Sequence, residues 1–225
     1  MIYFGLDLGQ AQDYTALTAL EKKIINRDIT MDLLNALPPN AILDEGKEYH
    51  LRHVERFALG TTYPTIISNL IDRINALNLG DKYMVIVDAT GVGRPVVDLM
   101  RKNRIRCVPV SFTAGEKENY DIDFGGWRVP KRILVSNLQV LFQNGQLKMA
   151  PGLPNLQQIT NELLNLKVKV TQSKNDTYEA WREGDRDDLV FSLAMAAWYA
   201  VRFGVTEEEQ RQPENRSPWL RVKGL

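Results

Sequence analysis

Residues 83–88 read YMVIVD, an unbroken apolar run closed by an acid. A half-exposed strand alternates apolar and polar residues. A short run with no polar face has to be covered on both sides, as a central strand of an α/β sheet is. The next residues support that reading. TGVGRP supplies a turn, Val96 to Met100 begins a helix, and residues 105–111 (IRCVPVS) read as a further strand. Strand, helix and strand in that order make a βαβ unit with a parallel pair. Pro109 places the second of these strands nearer an edge.

The N-terminal half has a different grammar. Residues 2–7 (IYFGLD) read as a strand, GQAQD as a turn, and 14–25 (YTALTALEKKII) as the returning hairpin arm. Residues 26–48 are polar, with paired prolines, and read as a loop insertion. Residues 49–57 (YHLRHVERF) alternate as a third strand. Between Pro64 and Leu77, Ile66, Ile67, Leu70, Ile71, Ile74 and Leu77 fall at helical spacing. Residues 113–130 read as loop, 131–142 as helix with Gly145 as its cap, QLKMA as a short strand, and 156–166 as helix. KVKVT (167–171) alternates as a strand or hairpin arm. Residues 185–203 make the strongest helix, with acids in its first turn. The expected fold is α/β: a central mixed sheet, an antiparallel hairpin joined to a parallel βαβ portion, flanked by helices. Residues 1–205 form one domain, and 206–225 read as a flexible C-terminal tail.

Composition narrows the function. Lys plus Arg and Asp plus Glu balance at 28 each, so no global basic field advertises nucleic acid. Such a partner would be met by a local basic patch or through metal ions. The single cysteine, Cys107, forms no internal disulfide, which fits a reducing cytoplasm. Two histidines make a His-rich zinc site a poor expectation. No run of 18 apolar residues or signal-type N-terminus appears, so no membrane partner is expected.

Asp7 then stands out, because it sits inside an apolar strand. A buried unpaired charge costs several kcal/mol or neutralises itself, so Asp7 needs a partner. Asp88 closes the central strand, and Asp187 and Asp188 open the last helix. Adjacent strands would bring Asp7 and Asp88 to one sheet edge. Clustered carboxylates call for a cation, and hard divalent ions such as Mg²⁺ or Mn²⁺ suit them. Two such ions roughly 4 Å apart can clamp the attacking and leaving oxygens of a phosphodiester. Plainer readings exist for each acid. Asp88 can cap a turn, Asp187 and Asp188 can cap a helix, and Asp13 can cap the first turn rather than assist a second metal. The stretch Gly5-Leu6-Asp7-Leu8-Gly9 also resembles the first phosphate loop of the actin and Hsp70-like ATPases, where Asp7 would orient a Mg-nucleotide.

The ordered set of motifs resembles the nuclease domain of the viral large terminase, the DNA-packaging enzyme of tailed phages. Its elements are the strand acid Asp7 with its hairpin return, Asp88 followed by ATGVG, Val129-Pro130-Lys131-Arg132, LVSNLQVLFQNGQLKMA, and TYEAWREGDRDDL. The resemblance spans about residues 2–203 and implies an RNase H-like fold. It further implies a two-metal endonuclease acting on double-stranded viral DNA, with Asp7, Asp88 and Asp187 as catalytic ligands. Asp188 and Asp13 are auxiliary candidates. A helical wheel places the apolar stripe of the last helix nearer Asp187 than Asp188. Lys131, Arg132 and Arg186 are the candidate DNA contacts. Many relatives carry His where Arg186 stands, and Arg cannot ligate a metal. No G-x-x-x-x-G-K-[ST] phosphate loop is present. The resemblance therefore implies an ATPase motor as a separate domain or subunit, with portal and small terminase as further partners, in the host cytoplasm. Another RNase H-like nuclease, such as a junction resolvase, shares the expected metal site and stays open.

Overall fold

The computed structural model describes residues 1–9, 13–25, 46–91, 93–172 and 187–204. Its strands are β1 (Ile2–Asp7), β2 (Ala16–Ile24), β3 (Lys47–Arg56), β4 (Tyr83–Asp88), β5 (Cys107–Thr113), β6 (Asn119–Asp121), β7 (Gly126–Pro130) and β8 (Leu147–Met149). Its helices are α1 (Tyr63–Ala76), α2 (Gly93–Lys102), α3 (Lys131–Gln143), α4 (Leu156–Gln172) and α5 (Asp188–Arg202). The strands form one sheet in the order β6-β7-β5-β4-β1-β2-β3-β8. β1 joins the two halves: it pairs antiparallel with β2 and parallel with β4. β2 continues antiparallel into β3, and β4 continues parallel into β5 and then β7. This is the expected mixed α/β sheet, with the RNase H-like arrangement of an antiparallel hairpin beside a parallel βαβ portion.

The period of two decides what each face touches. Phe4 and Leu6 of β1 join Val85 and Val87 of β4 beneath α1 and α2. Tyr3, Ile86, Val110 and Val129 face the other way, onto α3 and α5. Val85, Ile86 and Val87 are all fully buried, as a two-sided apolar run requires. α5 is apolar around nearly its whole circumference and is the most enclosed helix described. Its seat is cut by Gly5. A Cβ there would lie 1.8 Å from the Ser192 carbonyl oxygen. Ser192 Oγ donates to the Gly5 carbonyl at 2.7 Å and lies 2.9 Å from Thr18 Oγ1. Buried polar groups thus meet one another where the helix crosses β1 and β2.

Four expectations need correction. Residues 113–130 are not simply loop, since they contain β6 and the β7 strand beside β5. The alternation of Trp127 and Val129 about exposed Arg128 was its signal. β5 is consequently interior, despite Pro109. Pairing with β7 begins only at Val110, so the missing N–H of Pro109 falls one residue outside that ladder. Residues 167–171 are not a strand but the continuation of α4. Leu156, Ile159, Leu163, Leu166 and Val170 recur at spacings of three and four, a helical rhythm that outlasts the local Lys–Val alternation. α2 starts at Gly93, three residues before Val96. The insertion expected over 26–48 and the tail over 206–225 lie outside the described residues, apart from Gly46, Lys47 and Glu48 at the entry to β3. No helix among the described residues is long and apolar enough to cross a membrane.

Candidate active site

Asp7 ends β1 and Asp88 ends β4. Register pairs Leu6 with Val87, so the next step along these parallel neighbours sets Asp7 beside Asp88. Parity gives them a common face. Tyr3, Gly5 and Asp7 alternate with Phe4 and Leu6, and Asp88 lies two residues after Ile86, so both acids face the side covered by α5. The same alternation that builds the core therefore carries the carboxylates to the start of that helix.

Both carboxyls are raised above their ordinary range. Burial pushes Asp7 well above the usual carboxylate range, and the charges of Asp88, Asp188 and Asp187 push it further, against the pull of Lys131. Burial also raises Asp88. The Thr90 hydroxyl and backbone N–H, the Lys131 charge and a hydrogen bond with Asp7 draw it part of the way back. Thr90 is well placed to do so. Its N–H donates to Asp88 Oδ1 at 2.8 Å, its hydroxyl donates to the same oxygen, and it accepts the Phe112 N–H at 2.8 Å. The turn after β4 thus fixes one oxygen of Asp88.

The first turn of α5 brings the other two acids. Asp187 is the N-cap residue, without a side-chain capping bond, and Asp188 is the first helical residue. Asp188 precedes Asp187 among the charges acting on Asp7. Arg56, at the end of β3, takes both Asp188 oxygens: Nε donates to Oδ2 at 2.8 Å and Nη2 to Oδ1 at 3.1 Å. Its Nη2 also pairs with Glu162 of α4, and its Cζ lies 5.3 Å from the centroid of the Tyr14 ring. Glu162 in turn accepts the Val190 N–H at 3.2 Å. Burial, then the Asp188 charge, raise Glu162 to about 7 despite its bond to Arg56. Sequence reasoning missed Arg56 and Glu162. Their partners are 106 and 132 positions from Arg56, and no local pattern announces them.

Of the three basic candidates, the fold brings Lys131 to the acids. It opens α3, its charge acts on both Asp7 and Asp88, and its Nζ sits 4.3 Å from the centroid of the Phe191 ring. Arg132 points elsewhere, with Nη1 3.8 Å from Glu116 on a surface shared with Ile133, Ser136, Asn137 and Val140. Arg186 lies outside the described residues. Asp13 is exposed on the connection from β1 to β2. The histidines of β3 bond to neighbouring glutamates, His50 to Glu48 and His53 to Glu55. Trp127 and Trp198 pack on one another, Trp198 within the core and Trp127 half-buried against it.

Among the described residues, no three His, Cys, Asp or Glu side chains are drawn together as a ready-made metal cage. Among the described residues, what stands there is a carboxyl pair, Asp7 with Asp88, two further acids in electrostatic range, Lys131 acting against the pair, and Arg56 bonded to Asp188. Clustered carboxylates repel one another, and a divalent cation among them would relieve that repulsion.

Comparison with known proteins bears on the fold. No protein-family model matches the chain, and no curated protein matches it. Among solved structures, the large terminase nuclease from thermophilic phage G20c is similar at 21% identity, covering 89% of this chain and 81% of that one, with a TM-score of 0.51. A magnesium-bound form of that nuclease aligns at 23% identity over 88% of this chain and 80% of that one, with a TM-score of 0.46. The human cytomegalovirus terminase nuclease domain, soaked with manganese, aligns at 12% identity over 90% and 85%, with a TM-score of 0.49. The first of these carries the comparison, and it establishes that this chain has the architecture of a large terminase nuclease.

Proposed function

We propose that the chain is a metal-dependent DNA endonuclease of the large terminase type, cutting double-stranded viral DNA during genome packaging. The observation that carries the reading is the Asp7–Asp88 pair, set side by side on adjacent parallel strands and facing the acids that open α5. The fold shared with the phage G20c nuclease supports it. The donor set fits hard cations: oxygen ligands only, with no thiol or imidazole among the acids. Asp7, Asp88 and one acid of the α5 start would hold Mg²⁺ or Mn²⁺, two ions in the full reading. Asp188 is taken for the third position because Arg56 fixes its carboxylate plane, where the helical wheel favoured Asp187. Bound divalent ions would activate water and stabilise charge developing at the phosphodiester.

The chain's own residues have definable tasks in this scheme. Thr90 holds Asp88 in one rotamer. Lys131 keeps both strand acids nearer their ionised forms and offers a cation to a phosphate. Gly5 and Ser192 seat α5, and with it the third acid, against β1. Residues 1–205 would then be one nuclease domain, with an ATPase motor, portal and small terminase as its partners. The test is cleavage of supercoiled plasmid. Nicking and linearisation with Mg²⁺ or Mn²⁺, abolished by EDTA and indifferent to ATP, support the reading. Cleavage that persists in EDTA, or hydrolysis of ATP by the chain alone, refutes it.

A further inference from the structure

Asp188 is held by a guanidinium that no catalytic task explains. The Arg56 fork meets both carboxylate oxygens in the two-bond geometry that fixes a carboxylate plane. The fork is itself fixed three ways. It springs from the end of β3, pairs with Glu162 of α4, and faces the Tyr14 ring. Glu162 closes the chain by accepting the Val190 N–H in the first turn of α5, two residues past Asp188. Arg56 and the Glu162 side chain are largely buried, at 15% and 7% exposure, so the contact is not a solvated surface pair. Each carboxylate oxygen carries two acceptor sites, so one bond from Arg56 leaves the other side open to a cation.

We propose that Arg56, braced by Glu162, is a positioning residue that presents the Asp188 carboxylate to the divalent cation. This rests on the metal-site reading above. Groups that orient a metal's carboxylate ligands cost about 10–100-fold in metal affinity when removed.

Mn²⁺ alone is the probe, titrated calorimetrically into the whole chain well below its unfolding temperature. Arg56→Gln should weaken binding about 10- to 100-fold, and Arg56→Lys, which keeps the charge but not the fork, should fail to restore it. Asp188→Asn should then add little in the Arg56→Gln background, since the two act as a unit. A purely structural Arg56 would lower the melting temperature and leave Mn²⁺ affinity unchanged. If Arg56→Gln does not fold because Glu162 is stranded, the double variant Arg56→Gln/Glu162→Gln removes both charges and is judged by the same titration. Mn²⁺ affinity unchanged or tighter in the folded variants, with Asp7→Asn still abolishing it, overturns this proposal alone. A wild-type chain that binds no Mn²⁺ overturns it together with the metal-site reading.

Discussion

Gly5→Ala is the sharpest test of how the fold builds the site. The added methyl would sit 1.8 Å from the Ser192 carbonyl oxygen and 3.1 Å from Thr18 Oγ1. Ordinary contact needs a little over 3 Å, so α5 or β1 must give way by more than an ångström. Neither can do so locally. α5 is enclosed along its length, and β1 is paired on both sides. Overpacking of this kind costs about 1–3 kcal/mol. The shift also stretches the Ser192–Gly5 and Ser192–Thr18 bonds, of 2.7 and 2.9 Å. A buried hydrogen bond lost in this way costs about 1–3 kcal/mol. A loss of about 3–5 kcal/mol is therefore expected, which for a chain of this size is roughly 6–20 °C in melting temperature. Thermal unfolding by circular dichroism measures it. Plasmid cleavage should fall as well, because Asp188 moves with the helix. A drop below about 1 kcal/mol would refute the close crossing of α5 over β1.

Two further outcomes are expected from the acids and their supports. Asp7 is raised in the folded protein, so without metal its stabilising share is full below its unfolded pKa and is lost as pH rises through the folded value. Asp7→Asn removes that loss and should stabilise the metal-free protein at pH 8, with the gain shrinking toward pH 4; a constant or inverted difference across that range would contradict the burial of the carboxyl pair. Thr90→Val keeps the shape of Thr90 but removes the hydroxyl between Phe112 and Asp88. It should cost about 1 kcal/mol of stability and about 10-fold in Mn²⁺ affinity, both read from calorimetry.

Much of the fold was legible because its signals are local. YMVIVD declares a two-sided strand, the isoleucines of α1 a helical stripe, and the β1–β2 hairpin its own turn. Where reading failed, a longer-range term won. β7 is a five-residue strand whose place depends on pairing with β5, and Pro109 looked like an edge marker because that pairing cannot be seen from β5 itself. The Lys–Val alternation of 167–171 yields to a helix already running from Leu156, where each added residue gains a hydrogen bond without a new nucleus. The site divides in the same way. Asp7 announces itself by being charged in an apolar strand, and Asp88 by ending one. Arg56 and Glu162 gave no warning, since a buried ion pair between β3 and α4 exists only once both have packed on α5.

In the proposed function, the Asp7–Asp88 pair is the cation-holding heart of a DNA-cutting site. Supercoiled plasmid incubated with Mn²⁺ and the wild type, Asp7→Asn or Asp88→Asn chain tests it most directly, with circular dichroism confirming that all three are folded. Nicked and linear products are expected from the wild type, and only intact plasmid from both variants. Undiminished cleavage by the two folded variants would contradict it.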